Sequence, residues 1–157
     1  MGRDSIAPQA EACLAREGEG MNVALAYFSK TGHSKKIMEA VSKCMGLTAY
    51  NLKETPAPGE LDLLILATGI YAGKCDPFLL NWIENLAPGQ VKRAALITSS
   101  MSRSRQEIIR EALAKRGVKV DGEEYTCKGS FLLFGRGHPD VAEIEGAVAF
   151  AKKAAAR

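Results

Sequence analysis

The sequence lacks the features that mark membrane proteins, secreted proteins and metal sites. Its 157 residues contain no apolar run near the roughly 18 residues that a membrane-spanning helix needs, and no charged and then apolar leader opens the chain. The four cysteines form no C-x-x-C pair, and the two histidines lie far apart, which gives zinc or disulfides little support. We therefore expect a cytoplasmic protein with reduced thiols, no metal site and no membrane span.

An excess of charge of one sign is also missing. The chain has a formal net charge of +3; residues 1–20 contain two basic and four acidic residues, a net charge of −2, which leaves +5 for residues 21–157. This charge is too small and too dispersed to indicate nucleic-acid binding. Because residues 1–20 have only scattered apolar side chains, we interpret them as an N-terminal tail or extension and residues 21–157 as one domain.

What the sequence does have is an alternation of strand-like and helical segments from residue 22 onward. It predicts an α/β fold: a doubly wound five-stranded parallel sheet of order 2-1-3-4-5, covered by helices in three α/β/α layers. We predict strands at 22–28, 47–52, 61–68 and 92–98, and one edge strand split by a loop within 118–135; the predicted helices are 33–45, 77–86, 103–116 and 139–156.

The end of the first predicted strand carries a cluster of hydroxyls. In SKTGHS, residues 29–34, three hydroxyl side chains and Gly32 occupy the turn into the first helix. A helix N-terminus offers unpaired N–H groups and the positive end of the helix dipole, and hydroxyls add neutral donors. The turn can therefore hold a phosphate without a cationic side chain. The alternative is a plain helix cap, for which one hydroxyl is enough.

Other phosphate-binding motifs do not match. The string GIYAGKC, residues 69–75, has three residues between its glycines where a Walker A loop has four, and it ends in cysteine instead of Ser or Thr. No G-x-G-x-x-G occurs. A receiver-type signalling domain would carry an aspartate at the end of its first or third strand, where Tyr27, Phe28 and Thr68 stand. A single phosphate with a flat group attached remains the expected ligand.

Two further loops are expected beside this turn. In doubly wound sheets, ligands bind beyond the carboxyl ends of the strands, where the winding direction switches. The segments after the third and fourth predicted strands, residues 68–76 and 99–104, are also rich in Ser, Thr or Gly. We expect these segments to complete the ligand site.

Three segments of the chain resemble the flavodoxin-like family. YFSKTGHSKK resembles its phosphate-binding motif S/T-x-T-G-x-S/T, with Ser29, Thr31, Gly32 and Ser34 at matching positions. LATGIYAGKCDPFLLNWIENL is similar to the family's second flavin loop, and GRGHPDVAEIEGAVAFAKK to the stretch before its last helix. The resemblance is to short-chain flavodoxins, since residues 126–137 leave no room for the inserted loop of the long-chain members.

The resemblance implies non-covalently bound FMN, with its phosphate in the first turn and its ring between the other two loops. Tyr71 would stack on the ring; its alternative is packing at the sheet edge. No catalytic residue is implied, because the flavin supplies the chemistry. The implied cofactor-binding residues are Ser29, Lys30, Thr31, Gly32, His33, Ser34, Thr68, Gly69, Ile70, Tyr71, Ala72, Gly73, Ser99, Ser100 and Met101.

The resemblance leaves the role open between carrier and enzyme. One hypothesis is electron transfer to a partner reductase; the alternative is an FMN-dependent oxidoreductase acting on a quinone- or bilin-like small acceptor, fed by NAD(P)H. A third is a module that has lost its cofactor. Family carriers are usually acidic, whereas this domain is basic, which predicts a different partner. We expect five basic residues near the flavin: Lys74, Arg93, Arg103, Arg105 and Lys128.

Overall fold

The computed structural model describes residues 21–30, 32–54, 59–69, 75–100, 106–128 and 141–156. Within these ranges, strands and helices alternate along the chain. The strands are β1 (Val23–Phe28), β2 (Ala49–Asn51), β3 (Leu61–Gly69), β4 (Val91–Ser100) and β5 (Lys119–Lys128), and the helices are α1 (His33–Met45), α2 (Pro77–Glu84), α3 (Glu107–Lys115) and α4 (Val141–Ala155).

The five strands form one parallel sheet in the order β2-β1-β3-β4-β5, which confirms the predicted fold. From β1 the chain crosses through α1 to β2 on one side, and β3 then returns to the other side of β1. The winding direction therefore switches between β1 and β3. Phe28 pairs with Thr68, and Gly69 pairs with Ser99, so the ends of β1, β3 and β4 lie side by side at one edge, called here the carboxyl edge.

The sheet separates two apolar cores, because alternate residues of a strand face opposite sides. Leu25 and Ile65 belong to the core that includes residues of α1 and α4, whereas Leu64 and Leu66 belong to the core that includes residues of α2 and α3. Burial on both faces explains why the strands read as continuous apolar runs. Each fully buried leucine or isoleucine contributes about 1.5–3 kcal/mol to stability.

Helix α2 begins as the sequence predicts, with Pro77 at its first position. Its cap is Asp76, whose Oδ1 accepts the Phe78 N–H at 2.8 Å. Proline fits the first turn because its missing N–H would be unpaired there in any case. The proline and the aspartate cap thus fix the start of α2.

The ends of β4 and β5 differ from the prediction. β4 extends to Ser100, so Ser99 and Ser100 are strand residues and the loop begins after them. The next helix starts at Glu107, later than expected. β5 is one strand, with a register irregularity opposite Ala94 to Leu96. The second part of the predicted split strand, residues 130–135, lies outside the described residues.

The prediction that Arg93 lies near the flavin face is wrong. Arg93 stands near the start of β4 and pairs with Lys119 at the start of β5, so it lies at the opposite, amino edge of the sheet. Its Nε is 3.1 Å from Asp121 Oδ1, and its Nη2 donates to the Ala154 carbonyl at the end of α4. A cation at a helix C-terminus is favoured by the helix dipole.

No helix in the described part of the chain has the length and apolar character required to cross a bilayer.

Candidate functional site

The turn between β1 and α1 leads into the helix through a glycine, with open space beside it. Gly32 is the cap residue of α1, with φ 92° and ψ −3° in the left-handed region that favours glycine. Its N–H donates to Ser29 Oγ at 2.8 Å, and its carbonyl accepts the Lys36 N–H at 3.0 Å. Among the described residues, no side chain caps α1. A Cβ placed on Gly32 would meet no atom within 4 Å, so the space beside the turn is open.

The charges in the first turn of α1 suit an anion. This turn carries no acidic residue, and Lys35 and Lys36 are both exposed there. Positive side chains at a helix N-terminus are repelled by the positive end of the helix dipole. An anion at that place is stabilised by the lysine charges and by the dipole. Ser34, from the predicted motif, is buried in the same turn.

Lys30 turns from the same loop towards α2. Its Nζ lies 2.8 Å from Asp76 Oδ2, and the Lys30 side chain is 51% exposed whereas that of Asp76 is 10% exposed. The hydrogen bond from Lys30, with a second from the Phe78 N–H, lowers the pKa of Asp76 although burial opposes this. The ion pair therefore joins the turn after β1 to the start of α2.

An aromatic pair joins the same two segments, and the sequence analysis missed it. The rings of Phe28 and Phe78 stack with centroids 5.2 Å apart and an interplanar angle of 16°. Phe28 ends β1 and is buried, whereas Phe78 in α2 remains 41% exposed. Lys53 Nζ lies 5.6 Å from the Phe28 ring centroid, within cation–π range. In the sequence, the only signal is that each phenylalanine adjoins a predicted loop.

A row of threonines crosses the sheet just below the carboxyl edge. Thr68, Thr98 and Thr126 are register partners on neighbouring strands. Thr68 and Thr98 are fully buried, and the Oγ1 atoms of Thr98 and Thr126 lie 3.1 Å apart. The sequence indicates Thr68 alone, because the other two threonines are recognised only once the strand register is known.

Several predicted site residues lie outside the described part of the structure. The side chain of Ser100 is likewise not described, although its backbone belongs to β4. The residues that lie outside the described ranges are Thr31, Ile70, Tyr71, Ala72, Gly73 and Met101, together with the basic residues Lys74, Arg103 and Arg105.

The described residues contain no cluster of three His, Cys, Asp or Glu side chains that would hold a metal ion. Cys75, half-buried beside Asp76, is the thiol nearest in sequence to the predicted ring loop. Burial, and secondly the Asp76 charge, raise the pKa of Cys75 to about 11. This thiol therefore stays protonated at neutral pH and is a poor nucleophile.

A cavity of about 700 Å³ lies between α1 and the edge strand β2. It contains none of the predicted cofactor residues. Burial, followed by the charges of Glu39 and Glu54, raises the pKa of Tyr27 in its wall. The residues that line it are Tyr27, Glu39, Ser42, Lys43, Gly46, Leu47, Thr48 and Ala49.

Comparison with protein families identifies the domain. A family model described as a flavodoxin domain matches residues 24–128 of the chain. The chain belongs to the flavodoxin domain family. No curated protein matches the sequence of this flavodoxin domain significantly.

Solved structures show the same flavodoxin fold at low sequence identity. A flavodoxin from the domain Archaea is 13% identical with a TM-score of 0.56, and the match covers 83% of this chain and 97% of that one. The two-electron reduced flavodoxin of Megasphaera elsdenii is 15% identical with a TM-score of 0.51, at 82% and 98% coverage. Rubredoxin oxygen:oxidoreductase from Desulfovibrio gigas is 16% identical with a TM-score of 0.57; 83% of this chain matches 34% of that one.

The described part of this flavodoxin domain fits the phosphate end of a flavin. A helix start at a left-handed glycine, with open space beside it and two exposed lysines in the first turn, presents the positive end of the helix dipole and positive charge to an anion. Gly69 and Ser99, at the ends of β3 and β4, are register partners. The two segments expected around the ring therefore leave the sheet side by side.

Proposed function

We propose that this flavodoxin domain binds FMN and transfers electrons to a partner reductase in the cytoplasm. The observation that carries the proposal is the start of α1 at a left-handed glycine, Gly32, located where the winding direction of the sheet switches. The turn there has the family's phosphate motif in Ser29, Thr31, Gly32 and Ser34. A phosphate in it accepts hydrogen bonds from the first-turn N–H groups and compensates the charge of the nearby lysines.

Hydroxyl groups complete the proposed phosphate site. Ser29 Oγ already accepts the Gly32 N–H, so the hydroxyl proton of Ser29 is left to donate to a phosphate oxygen. Thr31 and Ser34 are the other hydroxyl donors of the motif. A hydrogen bond to a charged group contributes about 1.5–3 kcal/mol. Three hydroxyls can therefore contribute substantially to phosphate affinity, whereas a helix cap needs only one hydroxyl.

The flavin ring is assigned to the space between the segments after β3 and β4. Thr68 to Gly73 form one side, with Tyr71 as the stacking residue, and Ser99 to Met101 form the other. Bound FMN supplies the electron-transfer chemistry. The task of the chain is to bind it, orient it and exclude water around it.

Apolar side chains around the carboxyl edge support docking of a redox partner there. Among the described residues, the large apolar side chains that are most exposed are Phe78, Ile108 and Val141. Each lies in the first two residues of a helix, and helices that follow parallel strands begin at the carboxyl edge. These three side chains therefore lie at the same edge of the sheet as the proposed flavin site, where a redox partner would dock.

Titration of the purified protein with FMN tests the proposal. We expect tight binding with flavin absorbance bands, and a loss of a few kcal/mol in the Thr31→Ala/Ser34→Ala variant, since two hydrogen bonds to a charged phosphate are removed. Thr48→Ala, which removes a hydroxyl at the start of β2, is the matched control and should bind normally. In Tyr71→Ala the absorbance of bound FMN should shift.

Three results would contradict the proposal. Unchanged FMN affinity in the Thr31→Ala/Ser34→Ala variant would remove the phosphate assignment. Steady-state NAD(P)H consumption by the purified protein with a quinone or bilin, in the absence of a partner protein, would identify it as an oxidoreductase instead of an electron carrier. A protein that takes up no FMN would be a module without a cofactor.

A further inference from the structure

Resting on the proposed function, we propose that Lys30 and Asp76 form a positioning pair that couples the phosphate turn to the ring loop. Lys30 stands inside the turn, between Ser29 and Thr31. Asp76 is the cap residue of α2, and it follows in sequence residues 70–73, to which the proposed function assigns the flavin ring. The ion pair between them, at 2.8 Å, therefore joins the two segments that would hold opposite ends of one ligand.

The geometry favours positioning over direct contact of Lys30 with phosphate. The Lys30 ammonium group is held by a carboxylate that is largely buried and in turn accepts the Phe78 N–H at 2.8 Å. Both oxygens of Asp76 are thus occupied, one by each segment. The lowered pKa of Asp76 agrees with a carboxylate that stays ionised in this position.

A second contact acts in parallel with the ion pair. Phe28, just before Ser29, stacks on Phe78, two residues after Asp76. The turn and the start of α2 are therefore held at two points, one apolar and one ionic. Displacing the phosphate turn would displace the start of α2, and with it the end of the ring loop.

This arrangement predicts a dependence on ligand type. A ligand that occupies both segments, such as FMN, gains from their fixed separation because less conformational freedom is lost on binding. Inorganic phosphate reaches the turn alone, and riboflavin reaches the ring loop alone, so neither gains. If Lys30 instead contacted the phosphate directly, releasing it from Asp76 would strengthen the binding of both FMN and phosphate.

The test is calorimetric titration of the full-length protein, free of flavin, with FMN, riboflavin and inorganic phosphate. The variants are Lys30→Met, Asp76→Asn, both together, and Lys30→Arg. Asn retains a side-chain oxygen that can cap α2, so Asp76→Asn removes the ion pair alone. Lys92→Met, which breaks the 3.0 Å ion pair with Asp62 at the amino edge, is the control. Urea midpoints of all variants verify folding.

We expect each single variant to bind FMN about three- to fivefold more weakly, the range of a partly exposed ion pair. The double variant should lose no more than either single one, Lys30→Arg should retain the affinity, and riboflavin and phosphate should bind each variant as they bind the wild type. Lys92→Met should bind FMN normally.

Three results would overturn the inference. Stronger FMN or phosphate binding in Asp76→Asn would make Lys30 a direct phosphate ligand. Additive losses in the double variant, or equal losses for FMN, riboflavin and phosphate, would show that the two residues act separately or only through folding. Wild-type FMN affinity in the single variants would remove the pair while leaving the proposed function intact; failure of the wild type to bind FMN would remove both.

Discussion

At the scale of single residues, Gly146 occupies the most confined position described for a glycine in this chain. A Cβ added there would lie 2.2 Å from Tyr125 Oη and 2.7 Å from Tyr125 Cζ. The Tyr125 side chain crosses α4 at this point and donates its hydroxyl hydrogen to the Glu143 carbonyl at 3.1 Å. Glycine thus lets the edge strand β5 hold the closing helix through one aromatic ring.

We predict that Gly146→Ala destabilises the protein by about 1–2 kcal/mol, because overpacking of this kind costs about 1–3 kcal/mol. At an open position in a helix, the same substitution would stabilise the protein by about 1 kcal/mol. The sign of the change in the free energy of unfolding therefore shows whether Gly146 is crowded by Tyr125. Urea unfolding followed by circular dichroism measures it. Gly122→Ala is the control, since a Cβ there meets nothing within 4 Å; a stabilised Gly146→Ala protein would show that Tyr125 does not cross α4.

Residue-level prediction from the sequence succeeds for local features and fails for partners. A glycine at the helix start is visible in SKTGHS, and the structure has Gly32 as the cap of α1. Lys30 was chosen only as a member of the turn, and nothing near it in the sequence indicates Asp76. The contact between Phe28 and Phe78 is equally hidden in the sequence, because only the strand order shows that both segments lie at the carboxyl edge.

At the scale of elements, Arg116 joins α3 to the end of α2 through a contact that the sequence does not indicate. It caps the end of α3, and its Nε and Nη2 donate to the Leu86 carbonyl at 3.0 and 2.6 Å. Leu86 follows the end of α2 and is buried, so its carbonyl has few routes to water. We predict that Arg116→Met destabilises the protein by about 1.5–3 kcal/mol, the range for hydrogen bonds to a charged group.

Urea unfolding of Arg116→Met beside Lys115→Met measures this link between the helices. Lys115 is an exposed neighbour in the last turn of α3, and its substitution should change the free energy of unfolding by no more than about 0.5 kcal/mol. Equal effects of the two substitutions would mean that only the charge near the helix end matters.

Elements were predicted by kind and order, and α1 also by both of its ends, but the end of β4 and the start of α3 were not. The strand β4 continues through two serines, which are poor strand formers by propensity, because Ser99 pairs with Gly69 and with Cys127 on its two sides. Strand pairing on both sides stabilises the extended conformation that serine does not favour by itself. The late start of α3 follows, since the chain leaves the sheet further along than the apolar pattern of β4 indicates.

At the scale of the whole molecule, the two edges of the sheet differ in character. The exposed apolar side chains Phe78, Ile108 and Val141 lie at helix starts on the carboxyl edge, together with the ion pair of Lys30 and Asp76. The ion pairs of Arg93 with Asp121 and of Lys92 with Asp62 lie at the amino edge. Arg93 is the second residue of the predicted strand 92–98, so its expected position near the flavin was inconsistent with that strand, whose start lies at the amino edge. The topology, once known, assigns each residue to its edge.

The stability of the whole molecule should fall at both ends of the pH range. Hydrogen bonds from the Asn22 N–H and Lys92 lower the pKa of Asp62 despite burial, and that from Lys30 lowers the pKa of Asp76. These carboxylates bind protons more readily in the unfolded chain, so their contribution is present above the unfolded pKa, near 4, and is lost as the pH falls through the folded values. The pKa of Cys75 is raised from 9.0 to about 11, so its contribution is complete below pH 9 and is lost as the pH rises towards 11.

We therefore predict a plateau in the free energy of unfolding between roughly pH 5 and 8. Protonation of the carboxylates causes the decline on the acid side, and deprotonation of Cys75 contributes to the decline on the alkaline side. Urea midpoints measured from pH 3 to 10.5 should show that Asp62→Asn/Asp76→Asn flattens the acid side alone, because Asn cannot bind the proton that unfolding favours. Cys75→Ala should flatten the alkaline side alone, between about pH 9 and 11. Because the raised pKa of Tyr27 acts in the same direction as that of Cys75, some alkaline decline should remain in Cys75→Ala. An acid decline of wild-type steepness in the double Asn variant would show that other carboxylates set the acid stability of this domain.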